Sequence, residues 1–75
     1  MPIRTKYRES IKLMKELGVS DLKVWEEDGA LKIRGRAKDG HDKMMIEHKI
    51  EEENLDKAMD VDLKLEIEKK KPSLL

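Results

Sequence analysis

The apolar positions of this chain change period along its length, and each change marks an element. From about Thr5 to Leu17, Tyr7, Ile11, Met14 and Leu17 recur at three- and four-residue spacing. Leu13 widens the stripe, and Arg8, Glu9, Lys12, Lys15 and Glu16 occupy the rest of the surface. That is the spacing of an amphipathic helix, and Gly18 supplies a left-handed stop. Alternation follows. Leu22 to Glu27 and Ala30 to Ala37 read as two strands around Asp28-Gly29, which takes the positive φ angles of a two-residue type I′ turn. The turn sets the register. With Glu27 opposite Ala30, Val24 faces Ile33 and Leu22 faces Gly35 on the buried side, while Trp25 faces Lys32, Lys23 faces Arg34 and Asp21 faces Arg36 outside.

Lys38-Asp39-Gly40-His41-Asp42 is the next punctuation, in which Asp39 or Asp42 is suited to cap a helix. Residues 43–53 carry two periods. Met44, Ile46, His48 and Ile50 alternate like a strand, whereas Met45, Ile46 and Ile50 continue through Leu55, Ala58 and Met59 as a helical face. We take the helix, because Glu47, Lys49, Glu51, Glu52 and Glu53 are good helix formers and poor strand formers. Val61, Leu63, Leu65 and Ile67 then alternate with charged residues, giving a third strand from about Asp60 to Glu68. Residues 69–75, Lys69-Lys70-Lys71-Pro72 and beyond, read as a basic frayed tail, a solubilising terminus in the plainer reading and an added attraction for an anionic surface in the other.

The expected fold is α+β, in the order αββαβ, with two helices packed on one face of a three-stranded mixed sheet. Leu22, Val24, Leu31, Ile33, Val61, Leu63, Leu65 and Ile67 point at the helices, and the other sheet face is bare.

Seventy-five residues make one domain with a thin core, too small to form deep pockets. Charged residues at 45% against 37% hydrophobic lean toward disorder by composition alone, so the folded reading rests on the regular apolar spacing. Seventeen basic and seventeen acidic residues cancel. Attraction for a polyanion must therefore be local. The absence of cysteine removes disulfides, thiolate chemistry and cysteine-ligated zinc. The N-terminus has no apolar run behind its charges and no stretch approaches membrane-spanning length, so a cytoplasmic location is expected.

Leu17-Gly18-Val19, Asp21-Leu22-Lys23-Val24, Glu27-Asp28-Gly29, Leu31 to Ala37, Asp42-Lys43, Ile46, Lys49-Ile50 and Asp60 to Leu65 resemble a BON domain. The likeness is to the type found beside LysM modules in small bacterial proteins, the potassium-binding kind among them. It spans roughly residues 10–68, within a single BON-like domain over 1–68. The resemblance implies a non-catalytic αββαβ module that binds phospholipid surfaces or other macromolecules, with potassium as a candidate ion. Gly35 matches the family's strand-two glycine and Asp28-Gly29 its hairpin tip. Ala58-Met59-Asp60-Val61 stands where the family has Gly-Val, no LysM module follows Pro72, and the potassium contacts have no matching residues here.

The candidate contact surface is the outer row Lys32, Arg34, Arg36 and Lys38 with Trp25 beside it, cations for phosphates or acidic headgroups and an indole for the interface. A solvated face is the plainer reading. Trp25 would lie over Lys32, Asp21 would face Arg36, and Asp62, Glu66 and Glu68 of the third strand would neutralise the remainder. That pairing leaves Arg34, opposed by Lys23, as the cation without a local partner. His41 and His48 stand seven apart, about 10 Å along a helix, too far to share a metal. The carboxylates and serines show no spacing that recommends catalysis, and no phosphate loop is present. Two other readings are open. A KH-like RNA-binding domain would need a Gly-x-x-Gly loop where Glu51-Glu52-Glu53-Asn54 stands. An interaction or oligomerisation domain would pair through a sheet edge, and the chain is expected to be either a monomer or a weak edge-paired dimer.

Overall fold

The predicted first helix is broken at Tyr7. In the computed structural model, which describes residues 3–68, α1 is a single turn (Ile3–Lys6) and α2 runs Arg8–Glu16, with Tyr7 between them at φ −106°, ψ 25°. The bonds that cross the joint are helical: Tyr7 N donates to the Ile3 carbonyl at 3.3 Å, and Ile11 N to the Tyr7 carbonyl at 3.0 Å. The break is thus a kink. Tyr7 is fully buried, and its hydroxyl donates to Asp60 Oδ1 at 2.6 Å, which fixes the ring at the joint.

Tyr7 has no side-chain oxygen able to cap α2, so the cap comes from far along the chain. The Glu53 carboxylate accepts from Ser10 N at 2.7 Å, from Glu9 N at 3.3 Å and from the buried Ser10 hydroxyl. At the other end, Gly18 adopts φ +74° as predicted. Its N–H donates to the Lys15 carbonyl and that of Val19 to Met14, the paired bonds of a Schellman motif.

Strands β1 (Ser20–Glu27) and β2 (Ala30–Ala37) form the expected hairpin, with Asp28 and Gly29 at φ 53° and 76°. The register holds from Glu27↔Ala30 to Lys23↔Arg34 and then slips, so that Ser20, not Asp21, lies opposite Arg36. The predicted Leu22–Gly35 pair is lost to this bulge. Asp21 takes φ 53° there, a conformation its short polar side chain tolerates. The slip accompanies a close approach: a Cβ on Gly35 would lie 2.6 Å from Val19 Cγ1, so the segment leaving α2 packs down on bare backbone.

Helix α3 (Gly40–Glu53) begins three residues earlier than the predicted 43–53, capped by Asp39, whose Oδ1 accepts from Asp42 N at 2.9 Å. It carries the chain across the sheet to β3 (Val61–Ile67), which lies parallel to β2 with Leu31↔Val61 through Ala37↔Ile67 in register. The three-stranded mixed sheet therefore has the order β1-β2-β3. The helices cover one face, as an α+β fold requires, and Tyr7, Met14, Leu31, Ile33, Ile46, Ile50 and Leu65 form the core between the layers.

One predicted apolar face is used only in part, through Ile46 and Ile50. Asp42, Ile46 and Ile50 are the buried positions of α3, whereas Met45, Leu55 and Met59 are exposed. The helix stops at Glu53, and Asn54 closes the next turn by donating from Nδ2 to the Ala58 carbonyl while accepting from Ala58 N. That turn points Leu55 and Met59 outward. Ile67, expected inside, is 43% exposed at the end of β3. Among the described residues no helix is long and apolar enough to cross a membrane. The basic tail 69–75 lies outside the described residues.

Candidate functional site

Lys32, Arg34 and Arg36 stand on the outer face of β2 in the predicted row, and Trp25 lies beside them on β1. Lys38 sits just past the strand, exposed in the bend before α3. The pairing within this row differs from expectation. Trp25 is opposite Lys32 in register, yet the cation over its ring is Arg34, 5.4 Å from the centroid on the strand diagonal. Arg34 is therefore the most fully engaged cation of the row. Its guanidinium also donates to the Ile33 and Asp62 carbonyls at 2.9 and 3.0 Å and meets the Asp62 carboxylate at 3.2 Å.

The parallel register explains this. Asp62 is level with Lys32 and one pleat from Arg34, so one carboxylate serves both, with Lys32 Nζ also 3.2 Å away. Hydrogen bonds from Lys32 and then Arg34 hold the Asp62 carboxyl below its usual range. Glu66, level with Arg36, and Glu68 make no ion pair among the described residues, while Arg36 reaches Asp21 at 3.8 Å across the bulge. The outer row is thus largely answered by its own sheet.

A second basic surface lies on the helical layer, where periodicity assigned no role. Arg4, Arg8, Lys12 and Lys15 follow one another at helical spacing along α1 and α2 and line a groove of about 470 Å³ beside β1. Its floor is apolar: Ile11 from α2, and Leu22 and Val24 from the inner face of β1, all half-buried. Among the described residues no carboxylate lines it. Arg4 is held there by a hydrogen bond from Nη2 to the Val24 carbonyl at 2.9 Å, on the open edge of the sheet. The signal was present in the sequence as cations at 4, 8, 12 and 15, but polar helix positions read alike until the neighbouring layer is known.

The same edge bears on the strand-pairing reading. Arg4 on the Val24 carbonyl, the bulge at Asp21 and the charged Glu26 on the inward row are devices that keep an edge strand from pairing with another chain.

Two further clusters complete the picture. Lys6 Nζ lies 2.7 Å from Asp56 Oδ1 and 2.8 Å from Asp60 Oδ2, and Tyr7 donates to the other oxygen of Asp60. Burial, then the Asp60 carboxylate, pushes the Tyr7 phenol well above its usual value, and Asp56 and Asp60 raise Lys6 likewise. Burial alone would raise Asp60, but bonds from Lys6 and Tyr7 outweigh it and hold the group low. Shifts of this kind mark active sites as well as structural networks. Here every shifted group is bonded to another, and the cluster ties α1 to the turn before β3. The second cluster is Asp39, His41 and Asp42, whose ligand atoms lie within 4.8 Å of one another. His41 thus has acidic neighbours nearer than His48, but Asp39 already accepts the α3 cap bond.

Comparison with protein-family models, curated proteins and solved structures returns no match for this chain.

Proposed function

We propose that this protein is a small non-catalytic binding module, of BON type by the resemblance of its residues, which engages an anionic phospholipid surface. The observation that carries the reading is the groove beside β1: four exposed cations around an apolar floor, with no carboxylate lining it among the described residues. Like charges stacked at i and i+4 cost a helix a few tenths of a kcal/mol each. Arg4, Arg8 and Lys12 therefore repel one another along one flank, a cost that binding an anion would offset.

The contact face in this reading is the helical flank, with the outer row Lys32, Arg34, Arg36 and Lys38 beside Trp25 as the rival surface. The flank is favoured because Asp62 and Trp25 already engage Lys32 and Arg34. A KH-like mode has no support from the segment at the end of α3, where Glu51, Glu52 and Glu53 would repel phosphate. The potassium reading rests on the resemblance alone.

Each cation near an anionic membrane contributes about 1 kcal/mol, so reversing two of them should weaken association by well over tenfold. Co-sedimentation with phosphatidylglycerol and phosphatidylcholine vesicles tests this. The expected result is salt-sensitive binding to the anionic vesicles only, lost in Arg8→Glu/Lys12→Glu and kept in Arg36→Glu/Lys38→Glu. Equal loss in both variants, or equal binding to both vesicle types, overturns it.

A further inference from the structure

The groove has a floor as well as a rim, and a flat charged surface would need no floor. We infer that it takes up a single anionic amphiphile, an acyl or alkyl chain bearing a phosphate or carboxylate, with the chain on Ile11, Leu22 and Val24 and the headgroup among the cations. This rests on the anionic-surface reading and deepens it: the ligand enters the protein one molecule at a time.

Three observations support it. First, the volume of about 470 Å³ lies within the range of small-molecule sites. Secondly, the floor residues are incompletely covered for a geometrical reason. β1 is an edge strand with a neighbouring strand on one side only, and its inward Leu22 and Val24 pack against the core yet stay half-buried. Thirdly, the charge complements the proposed headgroup all along the trough, because Arg8 to Lys15 spans about 10 Å of α2. Of the four, only Arg8 has an ion pair among the described residues, with its neighbour Glu9 at 3.7 Å. Arg4, anchored to the Val24 carbonyl by one nitrogen, retains donors for a headgroup oxygen.

A partner strand fits less well, since Arg4, the bulge and Glu26 obstruct the edge it would pair with. An inorganic anion would use the rim and leave the floor wet.

The test is a calorimetric and amide-NMR titration of the whole chain with hexyl, octyl and decyl phosphate below their micellar concentrations, alongside inorganic phosphate and decyl maltoside. Expected are one-to-one binding, amide shifts at Ile11, Leu22 and Val24, and affinity rising about two- to fourfold per methylene, up to the roughly 0.8 kcal/mol of a fully buried CH2. Ile11→Ala should flatten the chain-length series, and Arg8→Glu/Lys12→Glu should weaken every alkyl phosphate at least tenfold. The wild-type series carries the test should either variant fold poorly. Inorganic phosphate matching decyl phosphate, or decyl maltoside matching it, overturns the inference. Vesicle binding without monomer binding also overturns it while leaving the anionic-surface reading standing. Failure of both vesicles and monomers rejects the two together.

Discussion

Arg34 lies over the ring of Trp25, 5.4 Å from its centroid, although the strand register places Lys32 directly opposite the indole. The guanidinium is also bound to two backbone carbonyls and to the Asp62 carboxylate, so it joins all three strands on the outer face. Arg34→Ala should cost about 1–2 kcal/mol, because both a charge-assisted bond and a ring contact are lost, and should shift the emission of the only tryptophan. Lys32→Ala should leave that emission in place. Urea unfolding followed by fluorescence reads both, and identical spectral changes in the two variants would count against the diagonal contact.

Glu53 caps a helix that begins more than forty residues earlier. Replacing it with alanine strips the partners from Glu9 N, Ser10 N and the buried Ser10 hydroxyl together. The expected loss is about 1–3 kcal/mol, at the upper end for a cap because a buried hydroxyl is orphaned with it. Ser10→Ala alone should cost less, since the two N–H bonds survive. A double-mutant cycle in chemical denaturation should show coupling between the two sites, and strict additivity would contradict the shared carboxylate.

Both relationships show where the sequence was readable. The αL stop at Gly18, the Asp28-Gly29 turn and the alternation of β2 and β3 are local signals, and the α+β order follows from them without knowledge of the third dimension. The break at Tyr7, the cap from Glu53 and the slip at Asp21 each depend on a residue distant in sequence. Met45 lies to the side of the buried Asp42-Ile46-Ile50 stripe, and Leu55 and Met59 were misplaced for a related reason. Their helical spacing is real, but Asn54 ends the helix through a bond to Ala58 that no periodicity records. At the candidate site the same division holds. The outer row was legible because strand parity places it, whereas its neutralisation depends on the parallel register of β3. The groove depends on which helix flank lies over an edge strand.

Gly35 has room for no side chain, because Val19 Cγ1 occupies the Cβ position within 2.6 Å. Val19 is β-branched and stands at the end of the Schellman turn, so it has little freedom to swing away. Gly35→Ala should destabilise by about 1–3 kcal/mol, the usual range for overpacking. Adding Val19→Ala should recover part of that loss, since it removes the atom in the way. If thermal unfolding shows the double variant less stable than either single one, the contact is not the cause.

The Lys6, Tyr7, Asp56 and Asp60 cluster gives stability two pH limits of opposite sign. Asp56 and Asp60 are depressed below the ordinary 3.8, so their contribution is present above that value and is lost as pH falls below it through their folded values. Lys6 and Tyr7 are raised above 10.5 and 10.0. Their contribution is intact below those values and is lost as pH rises past them. Between the limits the cluster should leave stability unaffected by pH. Tyr7 is the only tyrosine, so tyrosinate absorbance reports on it directly. It should ionise above 10.0 and in step with unfolding followed by Trp25 fluorescence. Tyr7→Phe should cost about 1–2 kcal/mol at neutral pH for the lost bond to Asp60, and should flatten the alkaline slope. Ionisation near 10.0 in a chain that stays folded would show that the hydroxyl is not held by Asp60 in solution.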